Sequence, residues 1–447
     1  MLPRSLADMA VDLNAKVMGD ALISGLAIDS RQAKDGDLFV ALIAERDGHT
    51  FIDDAARSGA SAALVSHPTS VLPSICVTDT QVAMTALARS IRASYAGTVL
   101  ALTGSQGKTS TRGFLASILL SMARRMNHNE ILVTQGNLNN HLGVPLTMAR
   151  LRPHHPFALF ELGASAVGEI ADLASIAQPH ISALLNARAA HLEGFGSIAG
   201  VIQGKGEIID HTDPDGTVIL NADEPALEQW RARAGHRHVM SFGRQTADVR
   251  WTPMSQQDVR LDVQDLVMTV RLPTLGQHFM ENAAAAAAMA LAAGATDEDI
   301  RGGLESAVIE PGRMTPIQLE RCLLVDDTYN ASPQAVRAAI DWLAHQSGHR
   351  ILVMGGLSEL GDAASSEMKA LGVYAKSQKI DQLVATGTAA PIAEGFGVGS
   401  FYVETIEETV SQLSQMVAHT DVILIKGSRS AHMNRVVDAL QCQQGGQ

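Results

Sequence analysis

One glycine-containing stretch carries side chains suited to binding nucleotide phosphates. The run TVLALTG (98–104) predicts a buried strand, and it leads directly into SQGKTSTRGFLASILLSMARR, which has the composition of a helix. Backbone N–H groups and a helix N-terminus would face an anion there, while Lys108 adds positive charge and Thr109 offers a hydroxyl to Mg²⁺. A chance Gly-Lys-Thr turn is disfavoured by the flanking strand and helix. Because Leu102 stands at the first glycine position of GxxxxGK[ST], the stretch indicates ATP binding but not an ordinary kinase or GTPase.

Two more chemically active side chains follow predicted strands of the same block. FALFELG (157–163) carries Glu161 near its end, and ISALLNA (181–187) precedes a loop that contains His191. Ligands of open α/β sheets bind at the carboxyl ends of the strands, and a carboxylate there is a suitable ligand for Mg²⁺. A single histidine is more often a solvated or structural residue. The case for His191 therefore depends on its position beside the other two features.

Lys205 stands in the middle of an apolar helix face. The helix predicted for IAGVIQGKGEIID (198–210) has on that face Ile198, Val201, Ile202, Ile208 and Ile209. One interpretation is snorkelling, in which the methylene stem lies on apolar surface and the charge reaches water. The other is a lysine whose charge has been removed or paired, because desolvation lowers the pKa of a lysine and leaves a nucleophilic amine. The spacing leaves both interpretations open.

The elements that would position these residues alternate between strand-like runs and helical patterns, which predicts α/β domains with largely parallel sheets. We place three blocks at residues 1–96, 97–311 and 312–447. The first contains DLFVAL and AALVS as strands with an alanine-rich helix between them. The second adds TVILNAD to the strands above and closes with an alanine-rich helix after Asn282. The third contains CLLVDDTY, RILVMGG, QLVATG and DVILIKGS.

The composition is that of an ordinary globular protein. Of the 447 residues 46% are hydrophobic and 18% charged, and the net charge of −13 disfavours binding to nucleic acid or to an anionic membrane surface. Cys76, Cys322 and Cys442 lack the spacing of a disulfide framework or a zinc site, and Asp8 and Asp12 interrupt any signal-peptide core. We expect a cytoplasmic protein that binds neither nucleic acid nor membrane.

With these residues assembled, the chain resembles the Mur ligases over nearly its whole length. The stretches that carry the resemblance, in order, are DSRQAKDGDLFVAL (29–42), DGHTFIDDA (47–55), TGSQGKTSTR (103–112), QGNLNNHLGVPLT (135–147), ELGASAVGEI (161–170), AHLEGFGS (190–197), GKGEI (204–208), PGRM (311–314), DDTYNASP (326–333), ELGD (359–362) and IKGSRS (425–430). The resemblance implies an α/β protein of three domains. A central P-loop ATPase-like parallel sheet would be flanked by an N-terminal UDP-binding α/β domain and a C-terminal Rossmann-like domain.

The resemblance also implies roles for individual residues. The residues implied for ATP are Thr103, Gly104, Ser105, Gln106, Gly107, Lys108, Thr109, Ser110, Asn282 (adenine), Arg313 (phosphates) and Asp327 (ribose). The residues implied for two Mg²⁺ ions are Thr109, Glu161, His191 and Lys205, the last carbamylated by CO₂. The residues implied for the substrates are Ser30, Arg31 and His49 (uridine diphosphate), Asn137 (muramoyl peptide), and Lys426, Ser428 and Arg429 (incoming dipeptide). Lys108, His191 and Lys205 would then form the catalytic set.

The activity implied is an ATP-dependent amide ligation. The γ-phosphoryl group would activate the terminal carboxylate of UDP-N-acetylmuramoyl-tripeptide as an acyl phosphate, and the amine of D-alanyl-D-alanine would displace phosphate. A Mur ligase that adds the third amino acid is the first alternative, although the diaminopimelate-adding members carry a DNPR motif that this chain lacks. Folylpolyglutamate synthetase would not need the N-terminal block. A non-ligase P-loop ATPase is disfavoured by the set Glu161, His191 and Lys205. We expect a monomer, and the third residue of the tripeptide stays open.

Three positions depart from the family pattern. The loop before His191 reads NARAAHLE and lacks a proline that is common there, Phe279 stands at an asparagine position, and Gly356 stands where many members carry aspartate. These departures weaken the expected adenine and third-domain contacts. They leave every proposed metal and phosphate ligand in place.

Overall fold

The computed structural model describes residues 3–263, 266–320, 322–358, 360–416 and 421–444. Glu359, which begins the ELGD stretch, lies outside these ranges. The chain divides into two units, one formed by Met1–Met254, Asp258–Arg271 and His278–Ala307, the other by Ser255–Gln257, Leu272–Gln277 and Val308–Gln447.

The N-terminal part of the first unit builds a small α/β layer. Its elements are β1 (Arg4–Ser5), α1 (Leu6–Asp12), β2 (Lys16–Met18), β3 (Leu22–Ile23), β4 (Gly25–Ala27), β5 (Asp37–Val40), α2 (Ile52–Ser58), β6 (Ala62–Val65), β7 (Ser74–Cys76) and α3 (Thr80–Ala93). The strands pair in the order β2-β7-β6-β5-β4, parallel except at β2, and β1 pairs with β3. The predicted strands DLFVAL and AALVS are β5 and β6, and both are buried along their length.

The rest of the first unit is built on a second sheet. Its elements are β8 (Thr98–Thr103), α4 (Lys108–Arg125), β9 (Leu132–Val133), α5 (Gly143–Ala149), β10 (Phe157–Glu161), α6 (Glu169–Ala177), β11 (Ile181–Leu184), α7 (Leu192–Phe195), α8 (Ile198–Asp210), β12 (Thr217–Asn221), α9 (Leu227–Ala234), β13 (His238–Gly243), β14 (Val249–Pro253), β15 (Asp258–Val263), β16 (Leu266–Arg271), α10 (Gln277–Ala292) and α11 (Asp297–Glu305). The strand order is β16-β15-β14-β13-β12-β11-β8-β10-β9, with β15 and β16 antiparallel to their neighbours.

The pairing around β8 decides where the functional side chains lie. This strand runs parallel to β10 on one side and to β11 on the other, with Leu102 opposite Glu161 and Thr103 opposite Leu184. The carboxyl ends of the three strands therefore meet at one edge of the sheet. The phosphate loop, Glu161 and the loop that contains His191 all begin at that edge.

The second unit contains a third sheet. Its elements are β17 (Thr315–Gln318), β18 (Cys322–Asp327), α12 (Pro333–Ala344), β19 (Arg350–Met354), α13 (Ala364–Ser377), β20 (Gln382–Thr386), α14 (Ala390–Phe396), β21 (Ser400–Val403), α15 (Ile406–Met416), β22 (Asp421–Lys426) and α16 (Asn434–Gln444). The strand order is β17-β18-β22-β19-β20-β21, and only β17 is antiparallel to its neighbour. This is the mixed, mainly parallel α/β architecture predicted from the sequence.

Each of these larger sheets lies within one of the three predicted blocks, while the boundaries at 96/97 and 311/312 stay a prediction. One detail of the predicted helix faces is wrong. Ile198, assigned to the apolar face of α8, is 43% exposed because it occupies the first turn of that helix. Within the described ranges, no helix is both long and apolar enough to cross a membrane.

Candidate active site

The loop between β8 and α4 has the backbone conformation of a phosphate-binding turn. Gly107 precedes the helix with φ +80°, a left-handed conformation that favours glycine. The loop is braced by Asn186, whose Oδ1 accepts from the Gln106 N–H at 2.9 Å and whose carbonyl accepts from the Ser105 N–H at 3.1 Å. Lys108 Nζ donates to the carbonyl of Gly104 at 2.6 Å. The first turn of α4 thus offers N–H groups and a lysine at the edge where three parallel strands end.

Other residues predicted to bind ATP differ in how they approach this loop. A Cβ atom on Gly107 would lie 2.3 Å from Asn282 Oδ1, so this buried asparagine of α10 lies directly against the turn. The Thr103 hydroxyl donates to the carbonyl of Leu162 at 2.8 Å within the sheet, and Ser110 is buried on α4. Thr103 and Ser110 are therefore buried residues on either side of the loop.

Glu161 is a buried carboxylate beside the phosphate loop. It ends β10, is 2% exposed, and accepts from the Thr109 hydroxyl at 3.4 Å and from Asn139 Nδ2 at 2.8 Å, both at Oε1. Arg112 Nη1 lies 3.1 Å from the other oxygen, Oε2. A hydroxyl and a carboxylate oxygen this close together are the hard oxygen donors that Mg²⁺ prefers, so the donor set fits this ion.

His191 follows β11 at the same edge of the sheet and precedes the short helix α7. Its side chain is exposed and its backbone is left-handed, with φ +53°. Asn137 is also exposed, in the turn after β9 where Leu138 N–H bonds to the carbonyl of Gln135. Both side chains are therefore accessible to a ligand at this edge.

Lys205 is buried inside the first unit. It is 2% exposed, its Nζ donates to the carbonyl of Ala164 at 2.9 Å and lies 5.0 Å from the centre of the Phe195 ring. Burial, followed by repulsion from Lys108, lowers its pKa from 10.5 to about 7. The snorkelling interpretation is wrong, because the ammonium group does not reach solvent.

The residues predicted for the uridine diphosphate lie in two 3-10 turns of the N-terminal layer. Arg31 is exposed and forms a two-point ion pair with Asp29, and this pairing lowers the pKa of the Asp29 carboxyl to about 2. Ser30 is buried beside them. His49 Nδ1 lies 2.6 Å from Asp47 Oδ1, and its Nε2 accepts from a backbone N–H, which fixes the orientation of the ring.

The second unit holds the remaining predicted residues. Lys426 ends β22, is 3% exposed, and donates to Asp327 at 2.7 Å. The guanidinium carbon of Arg313 lies 3.9 Å from the centre of the Tyr329 ring, and that of Arg429 lies 6.0 Å from it. Ser428 is buried and donates to the carbonyl of Gly356 at 2.8 Å.

Two departures from the family pattern have physical reasons in the fold. Phe279 is buried in α10 and fills its position with a ring instead of a polar amide. At Gly356, a Cβ atom would lie 1.8 Å from Thr388 Oγ1, so an aspartate does not fit without displacing that threonine.

A second group of polar side chains lies away from the phosphate loop. Glu130, His154 and His155 have possible metal-ligand atoms within 4.8 Å of one another, and theirs is the one such group within the described ranges. His155 Nδ1 accepts from the N–H of Arg152, so in the neutral ring Nε2 carries the proton instead of a free lone pair. A cavity of about 460 Å³ nearby is lined in part by Tyr95, just before β8 begins. These features belong to the end of β8 opposite the phosphate loop.

The contacting residues that the sequence did not predict include Arg112, Asn139 and Tyr329. Each lies inside a stretch that carries the family resemblance, which was the available signal. Their partners are distant in the chain, so their contacts have no local pattern.

The chain matches known families and known proteins over most of its length. The Mur ligase middle domain matches residues 102–290, and the domain described as "Mur ligase, glutamate ligase domain" matches residues 312–429. A UDP-N-acetylmuramoyl-tripeptide–D-alanyl-D-alanine ligase from Escherichia coli (strain K12) is 39% identical over 99% of both chains. The protein of the same name from Bacillus subtilis (strain 168) is 31% identical over 94% of this chain and 93% of its own.

Solved structures agree with the sequence comparison. MurF from Acinetobacter baumannii superimposes with a TM-score of 0.90 at 35% identity, over 98% of both chains. MurF ligase from Thermotoga maritima in complex with ADP gives a TM-score of 0.80 at 29% identity, over 94% of this chain and 98% of the other. With relatives above 30% identity matched almost from end to end, this chain belongs to the Mur ligase family.

Proposed function

We propose that this chain joins D-alanyl-D-alanine to the terminal carboxylate of UDP-N-acetylmuramoyl-tripeptide, using ATP and releasing ADP and phosphate. The observation that carries the proposal is the buried Glu161 carboxylate 3.4 Å from the hydroxyl of Thr109, the residue after the phosphate-loop lysine. The substrates are those in the names of the full-length relatives.

The phosphate loop accounts for the first chemical step. A carboxylate is a poor electrophile, so one of its oxygens first takes the γ-phosphoryl group of ATP and ADP leaves. Lys108 and the N–H groups at the start of α4 are suited to stabilise the charge on the transferring group. Asn282, which lies against Gly107, is suited to contact the base.

The metal set proposed for two Mg²⁺ ions comprises Thr109, Glu161, His191 and Lys205. When bound, Mg²⁺ would neutralise phosphate charge and so favour phosphoryl transfer. Glu161 and Thr109 would supply oxygen ligands, and His191 a ring nitrogen. Lys205 suits this role only as its anionic carbamate, and a pKa near 7 leaves much of its amine neutral and able to react with CO₂.

The second step forms the amide. The neutral amine of the dipeptide attacks the acyl carbon, loses a proton, and phosphate leaves with the bonding electrons. We assign Ser30, Arg31 and His49 to the uridine diphosphate and Asn137 to the muramoyl peptide. Arg313 and Asp327 are assigned to the nucleotide, and Lys426, Ser428 and Arg429 to the dipeptide.

We also propose three domains, residues 1–96, 97–311 and 312–447, in a monomeric cytoplasmic enzyme. The support is that each of the larger sheets lies in one of these segments. The net charge of −13 supports the expectation that neither nucleic acid nor a membrane is a partner.

The decisive experiment measures phosphate release and identifies the product by mass. Release should require ATP, D-alanyl-D-alanine and one of two UDP-tripeptides, ending in diaminopimelate or in lysine. Lys108→Met should lower the rate by at least about a thousandfold, because the negative charge on the transferring γ-phosphoryl group would no longer be stabilised by the lysine. Lys16→Met, a change at an exposed lysine of β2, should have no effect.

Two results would contradict the proposal. Amide formation with a free amino acid on a UDP-dipeptide would identify the ligase of the third amino acid. Phosphate release that needs a macromolecule and neither substrate would identify a P-loop ATPase of another class.

A further inference from the structure

Arg112 is a buried cation that the chemistry above does not use. It lies one turn after Thr109 on α4, and its side chain is 6% exposed. Nη1 lies 3.1 Å from Glu161 Oε2 and also donates to the carbonyl of Gly136 at 2.8 Å. The guanidinium is therefore anchored between a carboxylate and the turn that follows β9.

The contacts of Glu161 divide its two oxygens. Oε2 faces Arg112 and is sealed from solvent. Oε1 lies 3.4 Å from the Thr109 hydroxyl and accepts a hydrogen bond from the side-chain amide of Asn139. The two oxygens of an ionised carboxylate are equivalent, so these contacts fix the plane of the group, with one oxygen against Arg112 and the other directed toward Thr109.

The charge of Arg112 also stabilises the buried Glu161 carboxylate when no metal ion is bound. A carboxylate that is 2% exposed is costly to bury unless it is paired. Arg112 supplies that pairing, and the carbonyl of Gly136 holds the guanidinium in place. Both contacts are made by Nη1, and a lysine would keep the charge but lacks the rigid planar head group that holds this nitrogen in one orientation.

We propose that Arg112 is a positioning residue that fixes the plane of the Glu161 carboxylate, so that one oxygen stays against the guanidinium and the other, beside Thr109, is offered to a Mg²⁺ ion that Glu161 and Thr109 would hold together. This inference rests on the proposed function, because it assumes that Glu161 and Thr109 hold a metal ion. It assigns Arg112 no contact with substrate.

The test measures Mn²⁺ binding by electron paramagnetic resonance, in the presence of a non-hydrolysable ATP analogue. Arg112→Lys should weaken Mn²⁺ binding by about tenfold, as is typical when the partner of a metal ligand is removed. Arg124→Lys is the matched control, since Arg124 is exposed on the same helix, and its binding should equal that of the wild type. The Mg²⁺ concentration for half-maximal ligation should rise in the same proportion.

Wild-type Mn²⁺ affinity in folded Arg112→Lys would overturn the proposal. Arg112→Met tests the charge, and circular dichroism reports whether it folds. If it unfolds, Arg112→Met combined with Glu161→Gln should restore folding, because the buried charge is then gone, and failure to restore it would count against the pairing. Wild-type protein that binds Mn²⁺ but forms no amide would contradict only the proposed function.

Discussion

Lys205 links the chemistry of the site to the stability of the protein. Burial is the largest cause of its lowered pKa, and Lys108 adds to the effect while Glu169 and Glu207 oppose it. In the unfolded chain the pKa returns to about 10.5, so between about pH 7 and pH 10.5 the unfolded chain binds more protons. The free energy of unfolding therefore rises with pH across that range. Below pH 7 the buried lysine is protonated, and its full destabilising effect is present.

We predict that Lys205→Met, in CO₂-free buffer, is more stable than the wild type at low pH. The gain below pH 7 should be roughly 2–5 kcal/mol from the shift in pKa, reduced by about 1 kcal/mol because the carbonyl of Ala164 loses its donor. The gain should shrink as the pH approaches 10.5. Urea denaturation at a series of pH values measures it, with Lys379→Met as an exposed control.

Adding bicarbonate to the same denaturation experiment distinguishes the free amine of Lys205 from its carbamate. Carbamylation consumes the neutral amine and gives an anion near Lys108, so added bicarbonate should stabilise the wild type at pH 8 and leave Lys205→Met unchanged. A stability difference that does not vary with pH would show that the buried amine does not titrate as described.

At the scale of elements, burial decides what the sequence could predict. The strands β8, β10, β11 and β12 are buried on both faces, so they are nearly unbroken apolar runs and were predicted. The antiparallel strands β14, β15 and β16 alternate buried and exposed residues, as in DVRLDV, and were missed. That alternation is itself the signal of a half-buried strand, so DVRLDV could have been predicted from the sequence.

The candidate site divides in the same way. Gly107, Lys108 and Thr109 are consecutive, so a local pattern was enough to predict them. Arg112 was missed because its role depends on a contact with Glu161, on a neighbouring strand. Gly356 departs from the family pattern in the sequence, but the side chain that limits the space there, Thr388, lies after the adjacent strand β20 and is distant in the chain. Periodicity indicates which residues point inward and does not reveal what they meet.

Arg92 shows how helix ends are joined between the two layers of the first unit. It is 8% exposed on α3, and it donates to the carbonyls of Ala177 at 2.8 Å and Gln178 at 2.7 Å, at the C-terminal end of α6. These carbonyls have no partner within their own helix, and a cation there also interacts favourably with the helix dipole.

We predict that Arg92→Met lowers the free energy of unfolding by about 2–4 kcal/mol, because two backbone carbonyls at the end of α6, that of buried Ala177 and that of Gln178, lose their donor. Arg89→Met is the matched control one turn earlier, where an exposed guanidinium donates to the hydroxyl of Ser175, and it should cost less than about 0.5 kcal/mol. Urea denaturation followed by fluorescence compares them. If both variants lost the same free energy of unfolding, the contacts of Arg92 with α6 would not stabilise the packing of the two layers.

At the scale of the molecule, the hydrophobic cores do not correspond one to one with the sheets, because two of the larger sheets share a core. One apolar cluster contains residues from Leu6 in α1 to Ala234 in α9, so the N-terminal layer and the central sheet share a core, and the N-terminal layer has a smaller second cluster between Ala27 and Val65. A separate cluster, from Cys322 to Leu440, belongs to the second unit. Because cooperative unfolding follows a shared core, residues 1–96 should unfold together with the central sheet even though they have their own sheet.

We therefore predict that the two units unfold as separate transitions and respond separately to mutation. Trp230 and Trp251 lie in the first unit and Trp342 in the second, so Trp342→Phe protein reports the first, and Trp230→Phe/Trp251→Phe protein the second. Arg92→Met should lower only the urea midpoint of the first unit, which Trp230 and Trp251 report. Leu413→Ala removes a buried side chain from the second core, so it should lower only the midpoint of the second unit, through a loss of about 2–5 kcal/mol in the free energy of unfolding of that unit. If either mutation moved both midpoints equally, the two cores would be one cooperative unit.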